Sequence, residues 1–255
     1  AYTSAIANSL DVRGLINVQF AVLGTTVFVI EANPRASRTV PFVAKATGVP
    51  LAKVASRVML GASLAELRAE GLLKPPTNFG HVSVKEAVLP FNRFPGVDTA
   101  LGPEMRSTGE VMGFDSKFHR AFYKAQLGAG TLLPTAGKVF LSIKDDDKGP
   151  MLIEAAACLA DMGLRLTATA GTAAFLAEAG ITSTVVNKVY EGRPNIVDQI
   201  KDGDIALILN TTEGAQAVDD SRSMRAAALM DKIPYFTTLA GSHAAALGCA
   251  ETAPR

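Results

Sequence analysis

The chain has 255 residues, 48% of them apolar and 19% charged, a balance that excludes an intrinsically disordered chain. It contains no run of about 18 uncharged apolar residues, so no membrane-crossing helix is expected. The 25 basic and 24 acidic groups leave a formal charge of +1, which gives no electrostatic footprint for nucleic acid. A helix is predicted over 3–10, then two strands, 15–23 and 26–30, joined as a hairpin at Gly24-Thr25. Helices follow over 39–47 and 51–60, split by Gly48-Val49-Pro50, and over 63–70, where Ser63 and Glu66 form a capping box. A strand is predicted over 82–89. A helix is predicted over 115–127, with an apolar stripe of Phe118, Ala121, Phe122 and Ala125. Gly128-Ala129-Gly130, Pro134 and Gly137 then mark a linker.

Beyond the linker the pattern becomes regular. Strands are predicted over 138–143, 164–169, 181–189, 205–209 and 233–238. They alternate with helices over 150–162, 171–178, 195–201, 221–232 (capped by Asp219 or Asp220) and 241–247. Strict strand–helix alternation implies a parallel sheet with helices on both faces. The near-continuous apolar strands, such as IALIL at 205–209, suit burial on both sides. Charge divides the chain in the same place. Residues 1–134 carry 14 basic and 9 acidic groups, whereas 135–255 carry 11 and 15. The expected organisation is 1–60, a connecting segment 61–134, and 135–255. The opening residues show no basic region followed by an apolar run, so no signal peptide is expected. The missing initiator Met leads us to expect a longer natural chain. Cys158, in an apolar helical run, is read as a buried thiol and Cys249 as a bystander; neither has metal-ligand spacing. His81, His119 and His243 are scattered and read as ordinary surface or core residues.

In an open parallel sheet, ligands bind outside the carboxyl ends of the strands. Taken in turn, those ends supply Ser142 with Lys148 in the next loop, then Thr169 followed by Gly171 and Thr172 at a helix start. After these come Lys188, and Asn210, Thr211 and Thr212 with Asp220 just beyond. Helix-start N–H groups, hydroxyls and two lysines on one edge predict a phosphate site. The same Thr and Asn residues also suit simple helix caps. No Ser, Cys or His lies beside a base there, so the site reads as a binder of a phosphorylated small molecule.

A second constellation lies on the first hairpin. Glu31 and Asn33 are two residues apart and share a strand face, and Gln19 can lie opposite. Carboxylate and amide oxygens suit magnesium, and Arg35 and Arg38 could clamp a phosphate or carboxylate. On spacing alone the pattern equally suits a plain surface hairpin.

Residues 30–42 (IEANPRASRTVPF) closely resemble a segment of the large subunit of the carbamoyl phosphate synthetases. So do 45–52 (KATGVPLA), 84–94 (VKEAVLPFNRF) and 101–113 (LGPEMRSTGEVMG). The second half resembles the carboxy-terminal regulatory domain of that family. The resemblance implies an α/β chain: a truncated ATP-grasp tail and helical linker, then a five-stranded parallel sheet of methylglyoxal synthase-like fold. It implies a glutamine-dependent, ATP-consuming carbon–nitrogen ligase that makes carbamoyl phosphate from bicarbonate and ammonia, for pyrimidine and arginine biosynthesis. The enzyme would be cytoplasmic and oligomeric and work with an amidotransferase small subunit, and the fragment alone would be inactive.

By the same resemblance, Gln19, Glu31 and Asn33 would hold Mg²⁺ or Mn²⁺ against ATP, with K⁺ as a further ion, and Arg35 and Arg38 would contact the reacting group. Ser142, Lys148, Thr169, Thr172, Lys188, Asn210, Thr211, Thr212 and Asp220 would contact UMP or IMP as effector. Glu86, Tyr235 and Thr237 match positions for the activator ornithine. Ornithine-responsive members carry an acid where this chain has Phe236, and a phenyl ring offers an amine no charge. The alternatives are a stand-alone nucleotide sensor and a methylglyoxal synthase-type lyase. The latter needs an aspartate base that Asn210-Thr211-Thr212-Glu213-Gly214 does not carry.

Overall fold

The computed structural model describes residues 1–74, 80–94, 97–102, 104–212 and 221–251. They divide into two compact units, Ala1–Gly80 and His81–Arg255. No helix among the described residues is long and apolar enough to cross a membrane.

The first unit begins with helix α1 (Tyr2–Ser9), followed by the antiparallel hairpin β1 (Asn17–Leu23) and β2 (Thr26–Asn33). The predicted turn at Gly24-Thr25 is present, but β2 runs three residues past the predicted end and takes in Glu31 and Asn33. Every residue from Ala21 to Ile30 is exposed, so its own ladder holds the hairpin, not burial. Helices α2 (Thr39–Thr47) and α3 (Leu51–Met59) are separated at Gly48, whose φ of 67° closes α2 in the left-handed conformation that glycine adopts at no steric cost. Helix α4 (Leu64–Ala69) starts on the predicted capping box: the Glu66 N–H donates to Ser63 Oγ at 3.2 Å, and the Ser63 N–H to Glu66 Oε2 at 2.7 Å. Among the described residues of this unit, only Val54, Ala55 and Leu67 are buried apolar groups.

The second unit opens with β3 (Val82–Val88) paired antiparallel to β4 (Gly109–Asp115). Strand β4 was not predicted, because Gly109, Gly113, Glu110 and Asp115 dilute its alternation. Helix α5 (Phe118–Gly128) lies against this pair. It starts three residues later than predicted, because Asp115 belongs to β4 and is bonded to Lys124. Its buried face is Ala121, Phe122, Ala125 and Gln126, whereas Phe118 is 45% exposed and leaves the predicted stripe.

The rest is the parallel sheet: β5 (Lys138–Ser142), β6 (Arg165–Ala168), β7 (Thr184–Val185), β8 (Ile205–Asn210) and β9 (Tyr235–Phe236), in the order β7-β6-β5-β8-β9. Helices α6 (Pro150–Asp161), α7 (Ala170–Glu178), α8 (Ile196–Lys201), α9 (Arg222–Met230) and α10 (Leu239–Ala250) connect and flank the strands. Alternation along the strands builds two cores. Val139, Leu141, Leu207 and Leu209 join residues of α6, α7 and α10 on one face. Phe140 and Ile208 join Ile196, Ile200, Met224 and Ala228 of α8 and α9 on the other.

Further sequence readings of this unit change. The strand predicted over 181–189 shrinks to two residues, because the chain next makes a 3₁₀ turn at Val189–Glu191. The strand predicted over 233–238 shrinks likewise, and α10 is longer than predicted, starting on Thr238, whose Oγ1 accepts the Gly241 N–H at 3.1 Å. The predicted Asp219 or Asp220 cap of α9 lies outside the described residues. The cysteines exchange roles: Cys249 is fully buried in the first core, its thiol pushed up to about 12 by burial, and Cys158 is only half-buried.

Candidate functional site

Strand β5 has β6 on one side and β8 on the other, so the chain reverses its direction of winding there. Neighbouring loops part at such a point and leave a crevice at the strands' carboxyl ends. Ser142 and Asn210, neighbours as the last pair of the β5–β8 ladder, both line it. The crevice is a cavity of about 540 Å³. Ser142, Lys148, Thr169, Thr172, Lys188, Asn210, Thr211 and Thr212 all line it, although they come from four separate strand ends. Asp220 lies outside the described residues.

Two of the hydroxyls shape the loop after β5. Thr172 Oγ1 accepts the Ile143 N–H at 3.0 Å and lies 3.3 Å from Thr169 Oγ1. Thr211 Oγ1 accepts the Lys144 N–H at 3.0 Å, while the Thr211 N–H donates to the Ser142 carbonyl at 3.0 Å. Helix α7 starts at the pocket wall, and no side chain caps its first N–H groups. Their partial positive charge and the lysines favour an anion. Lys148 Nζ donates to the Gly171 carbonyl at 2.9 Å and to Asp145 Oδ1 at 2.6 Å. A Cβ at residue 171 would sit 3.3 Å from that ammonium, so glycine permits the approach. Phe140, Val189, Ile196, Met224 and Tyr190 also line the cavity, with Lys188 Nζ 5.9 Å from the Tyr190 ring centroid. The cavity therefore offers cations and hydroxyls together with apolar side chains.

Asn210 and Ser221 of the pocket lining belong to a network that the sequence did not reveal. Asn210 Nδ2 donates to the Tyr235 hydroxyl at 2.6 Å, and burial pushes that hydroxyl's pKa up. Arg225, on α9, donates to Ser221 Oγ at 2.6 Å and to both oxygens of Asp98 at 2.8 and 2.7 Å. Arg225 sits in an apolar helical pattern, and its partner is 127 residues away, so no local signal announces the pair. Lys144, Asp145 and Asp146 also line the cavity and were missed. The run Lys144–Lys148, with opposite charges three apart, was the readable signal.

Of the residues matched to ornithine, Glu86 lies on β3 and accepts from Gln126 Nε2 at 2.8 Å, its carboxyl raised by burial. Tyr235 turns its hydroxyl to Asn210, and Thr237 is exposed. Phe236 packs on Phe122 with ring centroids 6.2 Å apart.

In the first unit, Gln19 and Glu31 are direct partners in the ladder, and Asn33 follows two residues after Glu31 on the same face. Gln19 and Glu31 are exposed and Asn33 is half-buried. One carboxylate and two amide oxygens, with no imidazole or thiolate, form a donor set for a hard cation that keeps oxygen ligands from a bound phosphate. Arg35 follows immediately, its guanidinium donating to the Ala36 carbonyl at 3.0 Å; Arg38 is exposed at the start of α2.

Comparison with known proteins gives two family matches. Residues 2–67 match the family described as "Carbamoyl-phosphate synthase L chain, ATP binding domain", and residues 151–237 match "MGS-like domain". Proteins named "Carbamoyl phosphate synthase large chain" align over nearly the whole chain. That of Rhizobium meliloti is 56% identical over 246 residues, covering 96% of this chain and 21% of the relative. That of Mesorhizobium japonicum is 54% identical over 245 residues, again 96% and 21%. That of Haemophilus ducreyi is 56% identical over 243 residues, or 95% and 22%. The chain thus spans about a fifth of the length of these relatives.

Proposed function

We propose a function from one premise: the chain belongs to the carbamoyl phosphate synthase large-chain family, of which it matches a carboxy-terminal part. In our reading the cavity at the sheet ends binds a phosphorylated nucleotide of the UMP or IMP type as an allosteric effector. The observation that supports it is the convergence of eight polar or cationic side chains from four strand ends on one cavity that also has an apolar wall. Lys148, Lys188 and the start of α7 would take the phosphate. The wall of Val189, Tyr190, Ile196 and Met224 would take the base. Phe236, engaged with Phe122, brings no charge to an ornithine amine, so the nucleotide is the effector we assign.

The first unit would contribute to the ATP site of a longer ligase. There Gln19, Glu31 and Asn33 would hold a divalent ion, and Arg35 and Arg38 the anionic reactant. The ion would neutralise charge on ATP phosphates. Glutamine as the ammonia source and an amidotransferase small subunit as partner complete the reading. The donor chemistry and the family support it.

A single substitution tests the effector site. In the full-length large chain, Lys188→Ala should raise the nucleotide concentration for half-maximal effect on carbamoyl phosphate synthesis about tenfold, as losing one charged hydrogen bond does. An unchanged nucleotide response would remove Lys188 from the site.

A further inference from the structure

Lys148 and Lys188 are the cations we assign to a ligand phosphate, and an anion of the chain itself already stands with them. Asp145 opens a 3₁₀ turn, Asp145–Asp147, in which side chains three residues apart eclipse one another. The run Lys144-Asp145-Asp146-Asp147-Lys148 therefore brings Asp145 to Lys148 at 2.6 Å and Lys144 to Asp147 at 4.0 Å. The two partners of the closer pair differ sharply. The Lys148 side chain is 15% exposed and is also held by the Gly171 carbonyl at 2.9 Å. The Asp145 side chain is 93% exposed. Lys148 is thus the fixed member, and Asp145 the one that can turn to water at little cost. Lys148 holds the Asp145 carboxyl below the usual carboxylate range, and Lys188 adds to the effect, so this carboxylate lies in the field of both cations.

We propose that Asp145 is a resident counter-ion of the phosphate subsite, which a ligand must displace from Lys148 in order to bind. It rests on the phosphate reading of the pocket. The pair keeps Lys148 oriented at the start of α7 before a ligand arrives, and its displacement costs every anionic ligand the same free energy. A phosphomonoester, which carries close to two negative charges and three acceptor oxygens, replaces one carboxylate with a gain. A singly charged ligand only exchanges like for like. Asp145 therefore weakens binding of every anion that needs Lys148 by a common factor and leaves an uncharged ligand unaffected.

Calorimetric titration of the 255-residue chain at 0.15 M salt tests this with UMP, inorganic phosphate and uridine on three proteins: the unaltered chain, Asp145→Asn and Asp146→Asn. Asp146 lines the same cavity and has no basic residue three positions away, so its variant removes an equal charge without releasing Lys148. We expect Asp145→Asn to bind UMP and phosphate about fivefold more tightly, the scale on which a surface ion pair competes. Asp146→Asn should change both by no more than about twofold, and uridine should respond to neither substitution. If UMP binds the unaltered chain and Asp145→Asn is no tighter than Asp146→Asn, the counter-ion role is overturned while the phosphate reading stands. If neither UMP nor phosphate binds any of the three proteins, both fall.

Discussion

Gly113→Ala should destabilise the His81–Arg255 unit by about 3 kcal/mol or more, because the added methyl group meets the backbone of helix α5. A Cβ at residue 113 would collide with the Ala121 carbonyl oxygen and lie 2.5 Å from the Ala125 amide nitrogen. Neither atom can swing away as a side-chain tip could. Helix α5 would have to lift off β4, taking Ala121, Phe122 and Ala125 with it, and Phe122 belongs to the first core of the sheet. At roughly 2–4 °C per kcal/mol for a unit of this size, the melting midpoint should fall by about 10 °C. Gly109→Ala is the control on the same strand. A Cβ there meets nothing within 4 Å, and the midpoint should move by no more than about 2 °C. Thermal melts followed by circular dichroism separate the two. Equal behaviour of the two variants would mean that α5 does not dock at Gly113.

The second large effect concerns Asp98. Arg225 is 6% exposed, and Asp98 bonds its guanidinium through both carboxylate oxygens. Asp98→Ala removes the carboxylate that holds this buried cation through two hydrogen bonds, while the neutral hydroxyls of Ser221 and Tyr235 remain. Breaking one side of a buried pair costs about 3–5 kcal/mol; the Asp98 side chain is 28% exposed, so about 2–3 kcal/mol is expected here. The pH dependence has a definite sign. Hydrogen bonding from Arg225, partly offset by burial, lowers the Asp98 carboxyl to about 2, below its unfolded value of about 3.8. Its contribution is therefore complete above about pH 4 and is lost as pH falls toward 2. Urea unfolding of the chain and of Asp98→Ala should show a gap that is constant from pH 7 to 5 and narrows between pH 4 and 2. A gap of the same size at pH 2.5 would mean that the charge pair is not its source. Asp98→Ala combined with Arg225→Met should recover part of the loss, since no charge is then left buried.

The parts of this protein legible in the sequence were those written in local pattern. The apolar runs of β5 and β8, the Ser63–Glu66 capping box and the glycine that closes α2 each depend on neighbours within a few residues. The pocket was legible for a different reason. A parallel sheet gathers its strand ends on one edge, so naming the residues at four ends names the wall of one crevice. The features that stayed hidden depend on distant partners. Strand β4 looks irregular because Gly113 serves the helix above it rather than the strand. Arg225 reads as one more helical surface charge until Asp98 is brought beside it. Cys249 looked peripheral because it lies near the end of the chain, yet α10 carries it into the first core. Phe118 follows the helical period of α5, but it sits in the first turn beyond the buried face. In the hairpin of the first unit, pairing made Gln19 and Glu31 neighbours, whereas any ion they would hold depends on ligands from outside these residues.

The most direct test of the central claim is a thermal melt of this chain with UMP, IMP, ornithine and Mg-ATP, each added alone, on the unaltered protein and on Lys188→Ala. A ligand at about 100 times its dissociation constant stabilises by about 2.7 kcal/mol, which at this size is roughly 5–10 °C. UMP or IMP should raise the midpoint of the unaltered chain by that amount and that of Lys188→Ala, binding about tenfold more weakly, by about half as much, with no shift from ornithine. No shift with either nucleotide, or an equal shift in both proteins, would contradict a nucleotide site at the sheet ends.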